Sequence, residues 1–166
     1  MKARRYTGIS DGVANGRRPG LSAFISEIEV RSEGALWNNG DYVVRPKRGK
    51  ESLSVHATGR AVDLSWRRIE RDGQVRGIKE GRQAAVRWSR ILIRNADLLG
   101  IELILDYFPE PFGRGWRCDR RDWVRYEVAT ITGAPGGDWL HIEISPEFAD
   151  DPKRVRAAFA NLLPLE

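Results

Sequence analysis

The chain has 166 residues, of which 41% are hydrophobic, and this is enough for one hydrophobic core, so we expect a single domain. No run of about 18 apolar residues is present to span a bilayer, and the basic start lacks the apolar stretch of a signal peptide, so we expect cytoplasmic synthesis without membrane insertion. The single cysteine, Cys118, excludes both an intrachain disulfide framework and a four-thiolate metal site.

The net charge of +5 and the isoelectric point near 9.7 favour a polyanionic partner. Nucleic acid and anionic cell-wall polymers both satisfy this electrostatic requirement. The basic residues are spread through the chain and are not gathered in one tail, so we interpret most of them as a solvated surface. We therefore expect no nucleic-acid partner.

The first part of the chain predicts an irregular arm followed by a helix. Residues 1–19 are polar and glycine-containing, so we treat them as an N-terminal arm and residues 20–166 as the domain. The apolar residues of 21–30 recur at helical spacing. Residues 33–41 are rich in turn-forming residues, and the YVVR run at 42–45 predicts a short strand.

The middle of the chain predicts a strand, a weak hairpin and a long helix. Apolar and polar residues alternate over 61–66, as in a half-buried strand. The charged stretch 67–80 predicts a loop or a weak hairpin about Asp72. The strongest helical periodicity lies in 81–100, which predicts one helix of about five turns, and 101–108 predicts a strand.

The last third of the chain completes an α+β pattern. Residues 109–123 predict a loop, whereas 124–132 and 139–144 predict strands. The segment 145–164 predicts a terminal helix with Asp151 and Pro152 in good N-terminal positions. The sum is a small, mostly antiparallel sheet with helices packed on it.

The two histidines of the chain each lie in a short block that also contains aspartate, glycine and tryptophan. Alternation places Asp63 on the polar face of its strand and His141 on the polar face of another. His56 precedes a turn, so it is free to fold back beside Asp63. Two imidazoles and one carboxylate, with a fourth position left open, form the ligand set of a catalytic zinc ion, and we expect Zn²⁺ on the open face of the sheet.

A catalytic zinc site also needs a carboxylate that takes a proton from the attacking water. Asp138 is the candidate for this general base. Three residues before His141 it would point to the wrong side of an ideal strand, but Gly136 and Gly137 predict a bend that re-aims it. Glu143 either orients a ligand or is simply a carboxylate on the sheet face, and both interpretations stay open.

The residues S-V-H-A-T-G-R-A-V-D at 54–63 and D-W-L-H at 138–141 resemble the M15 family of zinc peptidases, whose pattern is S-x-H-x-x-G-x-A-x-D followed by E/D-x-x-H. Aspartate in place of glutamate before the last histidine resembles the L-alanyl-D-glutamate endopeptidase branch, which includes many bacteriophage endolysins. The resemblance spans roughly residues 20–148.

This resemblance implies a role for individual residues of the chain. His56, Asp63 and His141 correspond to the zinc ligands, and Asp138 corresponds to the catalytic base. Ser54 would lie beside the site and hydrogen-bond the substrate or a ligand.

Two further positions are less directly indicated. The family has an upstream arginine that polarises the scissile carbonyl, usually within the motif S-G-Y-R-S, and this chain lacks that motif. Arg45 in YVVRP is the nearest equivalent, with a surface charge as the alternative. Trp139 either lines a substrate groove or forms a wall of the core.

The resemblance implies a monomeric, endolysin-type zinc metallopeptidase that hydrolyses a stem-peptide bond of bacterial peptidoglycan, most simply the L-Ala–D-Glu bond. Cleavage of a D-Ala cross-link and D,D-carboxypeptidase activity are alternatives. Such an enzyme would be made in a host cytoplasm without a signal peptide and would act on the cell wall after release. An alternative of another class is a non-catalytic basic module that binds wall polymer or nucleic acid.

Overall fold

The computed structural model describes residues 3–46, 53–71 and 73–165. The α-helices in these ranges are Pro19–Arg31 (α1), Gly81–Arg94 (α2), Ala96–Leu99 (α3), Pro146–Asp150 (α4) and Pro152–Ala160 (α5), and Val55–Thr58 forms a short 3₁₀ helix. The strands are Trp37–Gly40 (β1), Ala61–Ser65 (β2), Ile69–Arg71 (β3), Gln74–Arg76 (β4), Ile101–Asp106 (β5), Arg114–Arg117 (β6), Asp122–Arg125 (β7) and Trp139–Ile144 (β8).

Six of these strands form one sheet in the order β1-β2-β8-β5-β6-β7, and every neighbouring pair is antiparallel. The strands β3 and β4 form a separate hairpin. The predicted α+β class with a mostly antiparallel sheet is therefore confirmed. The strands that carry the two histidine blocks, β2 and β8, are neighbours near the middle of the sheet.

One face of the sheet carries the hydrophobic core. The alternating apolar side chains of β2 and β8 pack there against buried residues of α1 and α2, because each helix presents apolar residues at intervals of three and four. The members of this core from the two strands are Val62, Leu64, Leu140, Ile142 and Ile144. The opposite face of these strands is left to carry polar side chains.

Helix α1 approaches α4 more closely than a side chain would allow. A Cβ atom at Gly20 would collide with the carbonyl oxygen of Phe148 and with the backbone of Ala149. Glycine at this position therefore lets the two helices pack backbone against backbone. None of the described helices is long and apolar enough to cross a membrane.

The strand predicted at residues 42–45 is wrong, and the first strand lies earlier, at Trp37–Gly40. The indole of Trp37 is buried and donates to the carbonyl of Arg67, which holds β1 against β2. Val43 and Val44 are exposed. The β propensity of valine is thus overridden by the burial that tryptophan gains in the sheet.

The second half of the sheet also differs from the prediction. The expected loop 109–123 contains β6, in which Trp116 is almost fully buried and pairs with β5. The strand expected at 124–132 begins at Asp122 and ends at Arg125. Gly115 of β6 lies opposite Leu105 of β5. Because glycine has no side chain, it interrupts the alternation of apolar and polar residues by which a strand is recognised in the sequence.

The long helix predicted for 81–100 is divided at Asn95 into α2 and α3. The buried side-chain amide of Asn95 donates to the carbonyls of Ile91 and Leu163 and accepts from the amide of Leu163, so it ties the last residues to α2. The terminal helix predicted for 145–164 is divided at Asp151 into α4 and α5, and α5 begins at Pro152 with Asp151 as its N-cap, as predicted. The weak hairpin is confirmed as β3 and β4, although Asp72 lies outside the described residues.

Residues 3–18 form neither helix nor strand, and most of them are exposed, but hydrogen bonds connect them to the rest of the fold. The fully buried guanidinium of Arg60 lies 3.1 Å from Asp11 and 3.0 Å from Glu102, and it also donates to the carbonyls of Gly8 and Ile144. A buried cation with this many acceptors connects the arm to the sheet. The arm is therefore part of the folded body.

Candidate metal centre

The pairing of β2 with β8 places two of the predicted ligands side by side. Asp63 lies directly opposite His141, and Ala61 lies opposite Glu143. Since successive side chains of a strand alternate between its two faces, all of these residues point away from the hydrophobic core. The register of two central strands therefore positions two of the three predicted ligands.

His56 reaches the same place from the 3₁₀ helix Val55–Thr58. The hydroxyl of Ser54 accepts a hydrogen bond from the amide of His56 and caps the start of this helix. Gly59 ends it with φ +70°, and a Cβ atom there would collide with the carbonyl oxygen of Gly16. The glycine is therefore needed both for the turn and for the approach of the arm.

The structure brings the three predicted ligands together. His141 Nδ1 lies 3.1 Å from His56 Nε2 and 3.0 Å from Asp63 Oδ1. His56 Nε2 and Asp63 Oδ1 are 3.4 Å apart. Both imidazoles are buried, whereas the Asp63 side chain retains 23% of its exposure. These atoms form a group that could hold a metal ion.

The outer nitrogen of each imidazole has its own acceptor. His56 Nδ1 contacts the carbonyl oxygen of Asp41, and His141 Nε2 lies 3.1 Å from Glu143 Oε1. The second carboxylate oxygen of Glu143 accepts a hydrogen bond of 2.9 Å from the hydroxyl of Tyr6. A proton held on each outer nitrogen directs the lone pair of the inner nitrogen into the group, which is how metal-binding histidines are oriented.

The side chains of the group shift the pKa values of their neighbours. Burial alone would raise the pKa of Asp63, but hydrogen bonds from His141 and His56 outweigh it and hold that pKa well below its usual value. Burial would lower the pKa of His141, yet the hydrogen bonds and charges of Asp63 and Glu143 outweigh it and raise the pKa to about 9. A metal ion and a proton would therefore compete for His141.

The group opens into a cleft of about 690 Å³ that crosses the polar face of the sheet. The ring of Trp139 lines this cleft and lies with its centroid 4.7 Å from that of Tyr107. Ser54 and Arg45 line it as well. The structure thus places both predicted substrate-binding residues and the predicted arginine on the walls of one cleft.

Asp138 is the predicted site residue that does not join this group. Its carboxylate lies 3.4 Å from Arg67, and its carbonyl accepts from the amide of Trp66, which continues the pairing of β8 with β2 by one residue. The predicted bend is present, with φ +82° at Gly136, but it ends before Asp138. The carboxylate is not among the residues that line the cleft.

Two residues of the site have no counterpart in the sequence-based expectations. Asp41 acts through its main-chain carbonyl, so the identity of its side chain carries no signal. Tyr6 lies in the arm, 137 positions before its partner Glu143, and no spacing rule connects them. The alternation of β8, which puts Glu143 on the face of His141, was the signal for the orienting role of Glu143.

No protein-family model, curated protein or solved structure matches this chain.

Proposed function

We propose that the chain is a zinc-dependent peptidase of the M15 type that hydrolyses a stem-peptide bond of bacterial peptidoglycan, the L-Ala–D-Glu bond. The observation that carries the proposal is the convergence of His56, Asp63 and His141 on one side of a cleft large enough for a peptide. The same residues carry the sequence resemblance to that family.

The donor set fits zinc. Tetrahedral zinc with bonds of about 2.0–2.1 Å places neighbouring ligand atoms roughly 3.3 Å apart, and the three separations here are 3.0, 3.1 and 3.4 Å. Magnesium and calcium prefer oxygen ligands, whereas two imidazoles favour a transition metal. Among the described residues the group has three members, which leaves one coordination position facing the cleft, as in a catalytic site and unlike a closed structural one.

When bound, zinc would supply a Lewis acid that lowers the pKa of a water molecule to about 7 and polarises a carbonyl. The chain's own residues prepare this position. Asp63 stays ionised, and Glu143 and the Asp41 carbonyl hold the two imidazoles in the tautomers that donate lone pairs. Preorganised donors of this kind do not have to reorient during a reaction.

The general base is assigned to Asp138, which must first leave Arg67. The ion pair of these residues is partly exposed, and breaking such a pair costs only about 0–1 kcal/mol, but the carboxylate reaches the cleft only if the backbone also gives up the hydrogen bond from Trp66 to the Asp138 carbonyl. Among the described residues, the carboxylates that line the cleft are those of Asp41, Asp63 and Glu143. Each of them already forms hydrogen bonds with other side chains, so none is free to act as the base. Arg45, on the cleft wall beside Ser54, is assigned to polarise the scissile carbonyl.

Substitution of Asp138 tests the base. Asp138→Asn should lower kcat at least about 100-fold, the usual contribution of a positioned acid or base, with zinc content unchanged. Arg67→Gln is the matched control, because it frees the carboxylate and should leave kcat intact. Full activity of Asp138→Asn would remove Asp138 from the mechanism.

The proposal as a whole is tested by digestion of purified peptidoglycan. The wild type should release free amines and reduce turbidity, and His56→Ala should do neither while remaining folded. Mass spectrometry of the released muropeptides should show new D-Glu amino termini, whereas a D-Ala terminus would indicate cross-link cleavage or carboxypeptidase activity. Binding to the wall without release of any amine would overturn the proposal in favour of a non-catalytic basic module.

A further inference from the structure

Arg120 lines the same cleft, and no carboxylate among the described residues pairs with it. Its guanidinium donates to the main-chain carbonyls of Gly115 and Asp122. Carbonyl oxygens hold the group in place without neutralising its charge. The neighbouring Arg117 differs, since two hydrogen bonds of 2.7 and 2.8 Å to Asp119 balance its charge.

The register of the sheet locates Arg120 relative to the metal group. On the polar face, His141 of β8 lies opposite Leu105 of β5, which in turn lies opposite Gly115 of β6. Adjacent strands are about 4.8 Å apart, so Gly115 lies roughly 10 Å from His141. The cleft crosses these strands, with Leu105 on its floor.

This distance corresponds to a short length of peptide. An extended chain advances about 3.3–3.6 Å per residue, so roughly three residues span the distance from His141 to Gly115, whose carbonyl holds Arg120. A peptide whose scissile carbonyl lies at His56, Asp63 and His141 would present a side chain two to three residues further on to Arg120. The cation is held by two carbonyls and has no carboxylate partner among the described residues, so it favours an anionic side chain there.

The geometry points to Arg120 as the residue that selects an acidic substrate, an inference that rests on the proposed function. In a stem peptide cleaved between the first and second residues, the third residue lies at this distance. Arg120 binds the free carboxylate of a diamino dicarboxylic acid at that position. A stem with lysine in the third position lacks this carboxylate and is a poor substrate.

Three synthetic stem tetrapeptides test this inference, with diaminopimelate, its side-chain carboxamide or lysine as the third residue. The wild type should cleave the peptide that carries the free carboxylate with a KM about tenfold lower than for the other two peptides, because hydrogen bonds between charged groups are stronger than those of neutral groups. Arg120→Gln should abolish the difference, and Arg120→Lys should restore part of it. Arg87→Gln, which removes an exposed arginine of α2 on the other side of the sheet, should keep the full preference.

A binding measurement separates this inference from the proposed function. The same peptides with a reduced CH₂–NH bond at the scissile position are titrated into the zinc-loaded protein by calorimetry, so that no turnover is needed. Weaker binding of the carboxamide to the wild type, but not to Arg120→Gln, supports the role of Arg120 even if no peptide is cleaved. Equal affinities for carboxylate and carboxamide in the wild type would overturn it, whether or not the enzyme is active.

Discussion

At the scale of single residues, Glu143 connects the arm to His141 of the metal group. One oxygen of its buried carboxylate contacts His141, and the other accepts from Tyr6 in the arm. Burial would raise the pKa of Glu143, but the hydrogen bond and charge of His141 outweigh it and lower the pKa. The carboxylate therefore stays ionised and keeps the outer nitrogen of His141 protonated.

Glu143→Gln should weaken zinc binding about 10–100-fold, the usual effect of removing the partner of a metal-binding histidine. The affinity is measured by competition with a chromogenic chelator at constant pH. Glu147→Gln is the control, because Glu147 is an exposed carboxylate on the nearby helix α4. Equal zinc affinities of Glu143→Gln and the wild type would show that the contact with His141 does not orient the ligand.

The candidate ligands Asp63 and His141 could be predicted because polar residues alternate with apolar ones in their strands, and His56 because it precedes the turn at Gly59. The hydrogen-bond partners that surround these residues could not be predicted. The Asp41 carbonyl is a group that every residue has, and Tyr6 depends on the tertiary path of the arm. Asp138 shows the opposite difficulty, since the two glycines before it predicted a bend, and only the continued pairing with Trp66 reveals where the bend ends.

At the scale of secondary-structure elements, the sheet is held to the arm by a buried ion pair. Arg60 is fully buried between Glu102 of β5 and Asp11 of the arm. The removal of one partner of such a pair leaves the other charge buried without compensation. The arm and the sheet should therefore unfold together.

Arg60→Met should reduce the free energy of unfolding by about 3–5 kcal/mol, because Glu102 then loses its counter-charge in a buried position. Denaturant titration monitored by tryptophan fluorescence measures this change. Arg67→Met, which breaks a partly exposed pair, should cost less than about 1 kcal/mol. A similarly small loss for Arg60→Met would contradict the role of the buried pair.

The helices α1, α2 and α5, the strands β2, β5 and β8 and the hairpin of β3 and β4 could be predicted, but β1, β6 and the break between α2 and α3 could not. The strand β1 lies in a stretch of asparagine and glycine, and it forms because Trp37 gains burial against β2. The break between α2 and α3 depends on the hydrogen bonds of Asn95 to Leu163, a partner 68 positions away. Tertiary contacts of this kind leave no local pattern in the sequence.

At the scale of the whole molecule, the fold presents a polar cleft on one face of a sheet in a protein with a net charge of +5. Under the proposed function, cell walls rich in phosphate and carboxylate would attract such a surface and raise the rate of encounter. Attraction between exposed charges is screened over about 8 Å at physiological ionic strength.

Added salt should therefore slow wall digestion more than it slows the cleavage of a small peptide. The initial rates on purified peptidoglycan and on a soluble tetrapeptide are compared between roughly 0.05 and 0.5 M sodium chloride. We expect the rate on peptidoglycan to fall several-fold while the rate on the peptide changes little. An equal response of both substrates would show that the overall charge does not steer the protein to the wall.

We propose that His56, Asp63 and His141 hold one metal ion at the edge of the cleft. Anomalous X-ray diffraction at the zinc absorption edge, from crystals grown with one equivalent of zinc, decides this. We expect a single strong peak within bonding distance, about 2.0–2.1 Å, of His56 Nε2, Asp63 Oδ1 and His141 Nδ1. A peak elsewhere, or none between these three side chains, would contradict it.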